Sequence, residues 1–571
     1  MRAGRASLLH ATGFLTTTAA ALAVFASHPA AAQQKSDSAR VHRRVVRAQE
    51  RFESVRRQNL PFQLGGRDPH RCDARIGRFC QWNSEDDTVE AKDPRSIRRA
   101  RTALLATLDS AAAKSPRDGW ITGQRLRYLL ESGNDTAAVR VANECQASEW
   151  WCAALQGLAL HETASGAGSD SAFTRALRAM PASERCRWTD MSPILDADQR
   201  KRFGRVGCGR NEEVAERLWW MADPFWSLAG NDRRTEHYAR HTMARILEPA
   251  RNTFNLRWAN DMREMIVRYG WARYWTRDRG SSMDPYNGPI SGHEATPNYH
   301  FIPVSLRLDS VPVVAFDLDT NASAERYAPV MAERVFKLDP QVAVFRRGDS
   351  ALVVVAYDVS HSADLDSSRV GAALVIARDE NSSPYIGFTE GTRSAVSVIV
   401  DSRPAIMSLE VIATEKRRAA WKRTGLMLSL HEQGAVTMSD VLLFEPVESE
   451  AGDLGAAMKT AIGGTEVARR KLGLYWEAYG LVRTDSALPV SLTLTRVPAG
   501  ALRRLGESIG LASRSSPLKI SWHETAALGS VTARSVVLDL SLIPKGKYVL
   551  RIEAGDSGGQ RAATTRNIEL R

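Results

Sequence analysis

Two histidines one helical turn apart, His237 and His241, with Glu236 beside the first, are the residues of this chain best spaced to hold a metal. Histidines at i and i+4 share a helix face, the geometry that zincins use in H-E-x-x-H. There the glutamate follows the first histidine and acts as general base; here it precedes it. A third ligand would have to come from Glu213, Glu216, Asp261 or His293. A helix with surface or ion-paired imidazoles accounts for the spacing better, and no metal is expected. A second set, His293, Glu294 and His300 in SGHEATPNYHFIP, has the wrong spacing for chelation, and Pro297 denies it a helix. A third, Gly555-Asp556-Ser557-Gly558-Gly559, reproduces the nucleophile string of chymotrypsin-like proteases. A triad is defined by geometry rather than by a string, little chain follows Ser557, and Gly, Asp and Ser are hairpin residues. A turn between two strands is expected there. No phosphate-binding loop or dinucleotide fingerprint occurs, and neither a catalytic residue nor a cofactor is expected.

Aromatic side chains on sheet faces offer a different chemistry, stacking on sugars, and Trp421, Tyr475, Trp476 and Trp522 are the candidates. In YWEAY the residues Tyr475, Glu477 and Tyr479 share one face of a strand while Trp476 lies on the other. One set must be core, and core packing is the more frequent fate of such residues.

The elements that must carry these groups change character along the chain. Arg2 and Arg5, an apolar run from Gly13 to Ser27, and Ala30-Ala31-Ala32 before Gln33 read as a cleaved signal peptide, residues 1–32. The run is too short and interrupted to cross a membrane, so no transmembrane segment is expected in the mature chain. Six cysteines fit an oxidising compartment, periplasmic or extracellular. Neighbour pairing, Cys72–Cys80, Cys145–Cys152 and Cys186–Cys208, is the simplest of the 15 connectivities. The formal charge of +12 is carried by basic residues scattered among acids, with no run of five. That reads as a solvated surface, and no nucleic-acid partner is expected.

Residues 33–95 read as a polar helical arm followed by a disulfide-closed loop. Residues 96–215 have apolar residues at spacings of three and four. Trp120-x-x-Gly123-x-x-Leu126 is partly echoed by Trp151-x-x-Ala154-x-x-Gly157, which resembles the helical hairpins of tetratricopeptide repeats; an irregular helical domain is the alternative. Beyond residue 300 the pattern becomes that of short strands such as ALVVVAYDVS and SLTLTRV, predicting two antiparallel β-sandwiches over 301–460 and 461–571. The boundary between them is placed at the Gly-rich break Ala461 to Gly464. The fold class expected is multidomain, helices first and sheets after.

Six of the fourteen tryptophans fall between Trp219 and Trp275, in residues 216–300. Trp220, Asp223 and Pro224 read as a helix ending at a Pro-fixed turn, followed by a helix capped by Asn231 or Asp232 that carries Glu236, Tyr238 and Arg240. With Trp258, Asp261, Tyr269 and Gly270 after it, this segment resembles the GWxTD domain of exported bacterial proteins. Arg257, Asn260 and Arg263 replace the family's Gly, Thr and second Gly. The resemblance implies a small central domain with a short strand ending at Tyr269-Gly270, followed by β modules, and brings no catalytic residues. Trp258 and Asp261 are expected to anchor a turn, the carboxylate accepting backbone or Arg hydrogen bonds.

The function this implies is that of a non-enzymatic exported envelope protein that binds or scaffolds an envelope protein partner. A metal-dependent hydrolase centred on His237 and His241, and a carbohydrate-binding protein using the sandwich aromatics, are the alternatives.

Overall fold

The structure is a computed structural model, which describes residues 28–63, 72–82, 91–278, 288–294, 299–302, 325–365, 369–428, 436–447, 453–468, 470–480, 488–497, 517–524, 531–555 and 561–571. Most of the segment read as a signal peptide lies outside these residues, and the cleavage point after Ala32 falls within the first helix. Helices come first and sheets after.

The helices are α1 (His28–Gln58), α2 (Arg95–Lys114), α3 (Gly119–Leu130), α4 (Asp135–Asn143), α5 (Glu149–Glu162), α6 (Gly166–Ala179), α7 (Ala182–Thr189), α8 (Ala197–Phe203), α9 (Glu212–Ala222), α10 (Asp232–Leu247) and α11 (Asn260–Tyr269). α1 is no free arm. Val45 and Phe52 share a core with Leu104 and Leu108 of α2, and Arg56 pairs with Glu131 while Glu53 pairs with Arg127. Small residues let neighbouring helices close up: a Cβ added at Gly157 would lie 2.7 Å from the Phe173 ring. Three disulfides, Cys72–Cys80, Cys145–Cys152 and Cys186–Cys208, staple this half, the second across the turn between α4 and α5. Among the described residues no helix is long and apolar enough to cross a membrane.

Residues 216–300 share the core of the helices before them. Tyr238, Met243 and Ile246 of α10 and Ile266 of α11 pack with Leu126, Leu155, Leu158 and Phe173. α10 is buried almost all round, although its charged sequence had the look of a surface helix. Where a short strand ending at Tyr269-Gly270 was implied, residues 260–269 are helical. Gly270, at φ +83°, ends α11, a backbone conformation that glycine adopts without steric cost.

Four sheets follow. Sheet I orders strands Tyr385–Glu390, Gly371–Ala377, Ala405–Ala413, Arg418–Leu426 and Arg334–Lys337; sheet II orders Arg393–Asp401, Ser350–Asp358 and Gln341–Arg347. In sheet III the strand Lys471–Tyr479 pairs on one side with Thr437–Met438 and Leu442–Phe444 and on the other with Val531–Asp539. Sheet IV orders Glu466–Val467, Arg561–Leu570, Gly546–Gly555, Leu488–Arg496 and Leu518–Glu524. Within these four sheets pairing is antiparallel except at Arg334–Lys337 and Glu466–Val467, which join in parallel; a small sheet in the helical half, Phe62–Gln63, Tyr274–Asp278 and Ile290–His293, also has a parallel pair.

The cores run in series. Leu218 and Trp219 of α9, with Phe225 in the turn after it, pack with Ile406 and Trp421 of sheet I. Sheets I and II enclose Leu374, Met407 and Val353; sheets II and III enclose Phe345, Val354, Phe444 and Tyr475; sheets III and IV enclose Trp476, Leu492, Leu550 and Ile568. Each of sheets I to III is thereby covered on both faces, and burying one such large apolar side chain contributes about 1.5–3 kcal/mol.

The expected boundary at 460/461 is displaced. Thr437–Met438 and Leu442–Phe444 belong to the second sandwich, because Leu442 pairs with Tyr475 and Phe444 with Gly473. The Gly-rich break is a packed contact rather than a linker: a Cβ on Gly463 would sit 2.3 Å from the Asp358 nitrogen.

Candidate functional site

Three buried polar clusters take up some of the residues singled out for chemistry. The first surrounds α10, whose N-cap is Asn231, its side chain accepting from Arg234 N. His237 Nε2 lies 3.0 Å from the Trp188 carbonyl oxygen and donates to it. His241 stacks on the Trp188 ring at 5.6 Å, and the two imidazoles stand 4.7 Å apart, edge to face. Burial, joined by neighbouring positive charge, pushes His237 well below the usual histidine range and His241 down to about 3, so both are neutral at pH 7. Of the third ligands considered, Glu213 and Glu216 are exposed on α9, Asp261 is held by Arg78, and His293 stacks on Tyr274. Among the described residues no set of three or more His, Cys, Asp or Glu could hold a metal ion.

Glu236 turns instead to His161, whose Nε2 is 2.6 Å from Oε2, and to Arg240. Burial opposes the Glu236 charge, but Arg240 and His161 outweigh it and hold the carboxyl far below its ordinary range. His161 Nδ1 faces Thr235 Oγ1, whose hydroxyl donates to the Asp232 carbonyl. Both ring nitrogens of His161 therefore donate, which fits a pKa raised by the Glu236 hydrogen bond against the cost of burial. Arg240 completes the cluster by donating to the carbonyls of Val267, Arg268 and Arg326, capping the C-terminal turn of α11. Tyr238 is core, packed on Phe173 and Trp219.

The remaining GWxTD-like positions are structural in the same sense. Asp261, in the first turn of α11, accepts from Met262 N and from Arg78 Nε at 2.6 Å and Nη2 at 2.7 Å. The Arg78 hydrogen bond leads in holding its carboxyl down at about 2. It thereby docks the Cys72–Cys80 hairpin on α11, where Gly77 is obligatory: a Cβ there would meet the Asp261 Cβ at 2.6 Å. Trp258 packs half-buried on the core shared by α10 and α11.

The second cluster joins helices to sheet I. α9 ends at Asp223, and Pro224 turns the chain so that Trp226 stacks on Trp220 at 4.7 Å. The Trp226 and Ser227 backbone N–H groups each donate to Glu410 at 2.9 Å. Arg423 lies over the other face of Trp226, 3.8 Å from the ring centre, and donates to the Met221 carbonyl. Glu410 and Arg423 are wholly buried, and Asp223 nearly so. Burial, with the Glu410 charge added, raises the Asp223 carboxyl well above its usual range despite Arg423, while burial brings Arg423 down to about 10. Two acids, Glu410 and Asp223, thus lie within electrostatic reach of one guanidinium.

The third cluster joins sheets II and III. Tyr475, Glu477 and Tyr479 do share a face, and that face meets Arg347. Glu477 accepts from Arg347 Nη1 at 2.7 Å and Nη2 at 3.0 Å, and from the Tyr475 and Tyr479 hydroxyls. Tyr475, Trp476 and Trp421 are 3 % exposed or less, so none of them offers a ring to a sugar; Trp522 is half-buried against the last core. A cleft of about 370 Å³ beside this joint is lined by Val344, Phe345, Met427, Met438, Asp440 and Tyr479, without a nucleophile–base pair.

The other sets diverge. His293 Nε2 meets Thr276 Oγ1, Glu294 meets Arg273, and His300 faces Glu325. Asp556 to Gly559 lie outside the described residues, between strands that pair as neighbours with Gly555 opposite Arg561. The partners His161, Arg78, Arg347, Glu410 and Arg423 were missed by the sequence reading. For Glu410 a signal existed, since it and Ser408 interrupt the otherwise apolar strand AIMSLEVIA.

No family model matches the chain, and no curated protein matches it. Among solved structures, the FN1–FN3 domains of chicken CNTN1 align over 41% of this chain and 67% of theirs, at 8% identity and a TM-score of 0.14. The BSP domain of a biofilm associated protein aligns over 41% of this chain and 29% of its own, at 11% identity and a TM-score of 0.19. Red sea bream transglutaminase aligns over 41% of this chain and 31% of its own, at 12% identity and a TM-score of 0.13. This chain spans under a third of the last two. Likenesses this slight carry no argument, and the sandwiches rest on the strand pairing itself.

Proposed function

We propose that this chain is an exported envelope protein that acts by binding and positioning a protein partner rather than by transforming a substrate. The observation that carries the reading is where its reactive side chains go. The imidazoles of His161 and His237 and the carboxylates of Glu236, Glu410, Glu477 and Asp261 are each engaged by a partner within the fold. Two of the clusters weld successive layers together, which suits a platform that must hold its surfaces in fixed relation. Three disulfides and the signal-like N-terminus support export. The GWxTD-like residues fit this role as joints of the helical half.

The test is cross-linking in native envelopes, followed by recovery of the tagged mature protein, residues 33–571, and mass spectrometry. A stoichiometric, reproducible envelope partner is expected. An empty recovery, together with stoichiometric zinc that His237→Ala and His241→Ala abolish, would replace the proposal with the hydrolase.

A further inference from the structure

The sequence shows no run of five basic residues, yet the fold gathers them. α1 holds eight basic residues against three acidic, and α2 five against one, so these two helices account for most of the chain's excess of +12. On α1, Arg40, Arg43, Arg44, Arg47 and Arg51 fall within an arc of about 100° at 3.6 residues per turn. All five are exposed, while Val45, Gln49, Phe52 and Arg56 on the opposite arc are buried. The stripe therefore points straight away from the protein, along a line of roughly 17 Å. Arg40 pairs with Asp37, and the other four meet no carboxylate among the described residues. α2, packed alongside, adds exposed Arg95, Arg98 and Arg99.

We infer that this face adsorbs to the surface of an anionic phospholipid bilayer. A protein partner would need an apolar centre to the contact, since interfaces draw their strength from buried aromatic and aliphatic anchors. No large apolar side chain is exposed on the described parts of α1 or α2. A bilayer asks only for a line of cations facing a plane of phosphates, each worth roughly a fivefold gain in partitioning. With no apolar residue in the stripe, the helix lies on the headgroups and does not insert. The inference goes beyond the proposed partner binding and does not depend on it.

The test is co-sedimentation of the folded protein with phosphatidylcholine vesicles, with and without about one third phosphatidylglycerol, at low salt and at about 0.5 M salt. The protein used is the mature chain, residues 33–571, and the readout is the ratio of bound protein on the two vesicles. The ratio should be well above one at low salt, collapse at high salt, and fall about a hundredfold in the triple variant Arg43→Gln, Arg47→Gln, Arg51→Gln. Circular dichroism should show that variant folded, since the three side chains are exposed. A ratio near one at low salt, or a ratio unchanged in the triple variant, overturns the inference. So does a salt-insensitive ratio.

Discussion

The joint between the helices and sheet I and the joint between sheets II and III solve one problem in two ways. Both bury a carboxylate and an arginine where two layers meet, Glu410 and Arg423 on neighbouring strands of sheet I and Glu477 facing Arg347 across sheets II and III. At the first, Arg423 and Glu410 are fully buried, so the chain adds Ser408, two backbone donors, the Trp226 ring and a second acid, Asp223. At the second, Arg347 keeps about a third of its side chain in water, and one carboxylate with two tyrosine hydroxyls suffices. Complete removal of water demands a network, whereas a wet edge tolerates a clamp.

That contrast can be broken, and the first joint should break harder. Glu410→Ala strands Arg423 in the core and orphans two backbone donors. We expect a loss of about 3–5 kcal/mol, measured by urea denaturation. Arg347→Ala should cost only about 1–2 kcal/mol, because Glu477 keeps both hydroxyl donors and water can reach the site. Equal losses in the two variants would abolish the distinction. Charge is the sharper probe. The folded-state pKa of Asp223 is raised, so the folded protein holds a proton that the unfolded chain gives up near 3.8. Stability should therefore decline as pH rises from about 3.8 through the raised value, by at most about 1.4 kcal/mol per unit. Asp223→Asn should flatten that slope, read as the midpoint of thermal unfolding against pH. Arg347, pushed up by Glu477, gives the second joint no such slope. Smallest of all, Tyr479→Phe removes one donor to Glu477 and the acceptor for Arg346 N, and should cost about 1 kcal/mol.

The order of helices and sheets was legible because hydrophobic period changes near residue 300, and the disulfides because each cysteine has a near neighbour. α10 was legible as a helix and not as a buried one. Its Arg, Glu and His residues look solvated until His161 and the carbonyls at the end of α11 are brought to them. Partners of α10 lie up to 92 residues away, as with Arg233 and Glu325, and no local pattern encodes them. YWEAY shows the intermediate case. Alternation gives the shared face of Tyr475, Glu477 and Tyr479, but only the fold supplies Arg347 to occupy it. The sandwich boundary was misplaced for a related reason: glycines mark close packing as readily as they mark a linker, and Gly463 does the former.

The double-sided sheets bear on heredity. A recombination event that carried off residues 461–571 alone would leave Phe345 and Val354 without their cover. It would deliver a sheet whose central strand had lost Leu442–Phe444, with Glu477 facing no cation. Neither product keeps a closed core. The two sandwiches can be gained, duplicated or lost only as a pair, however many modules the strands suggest.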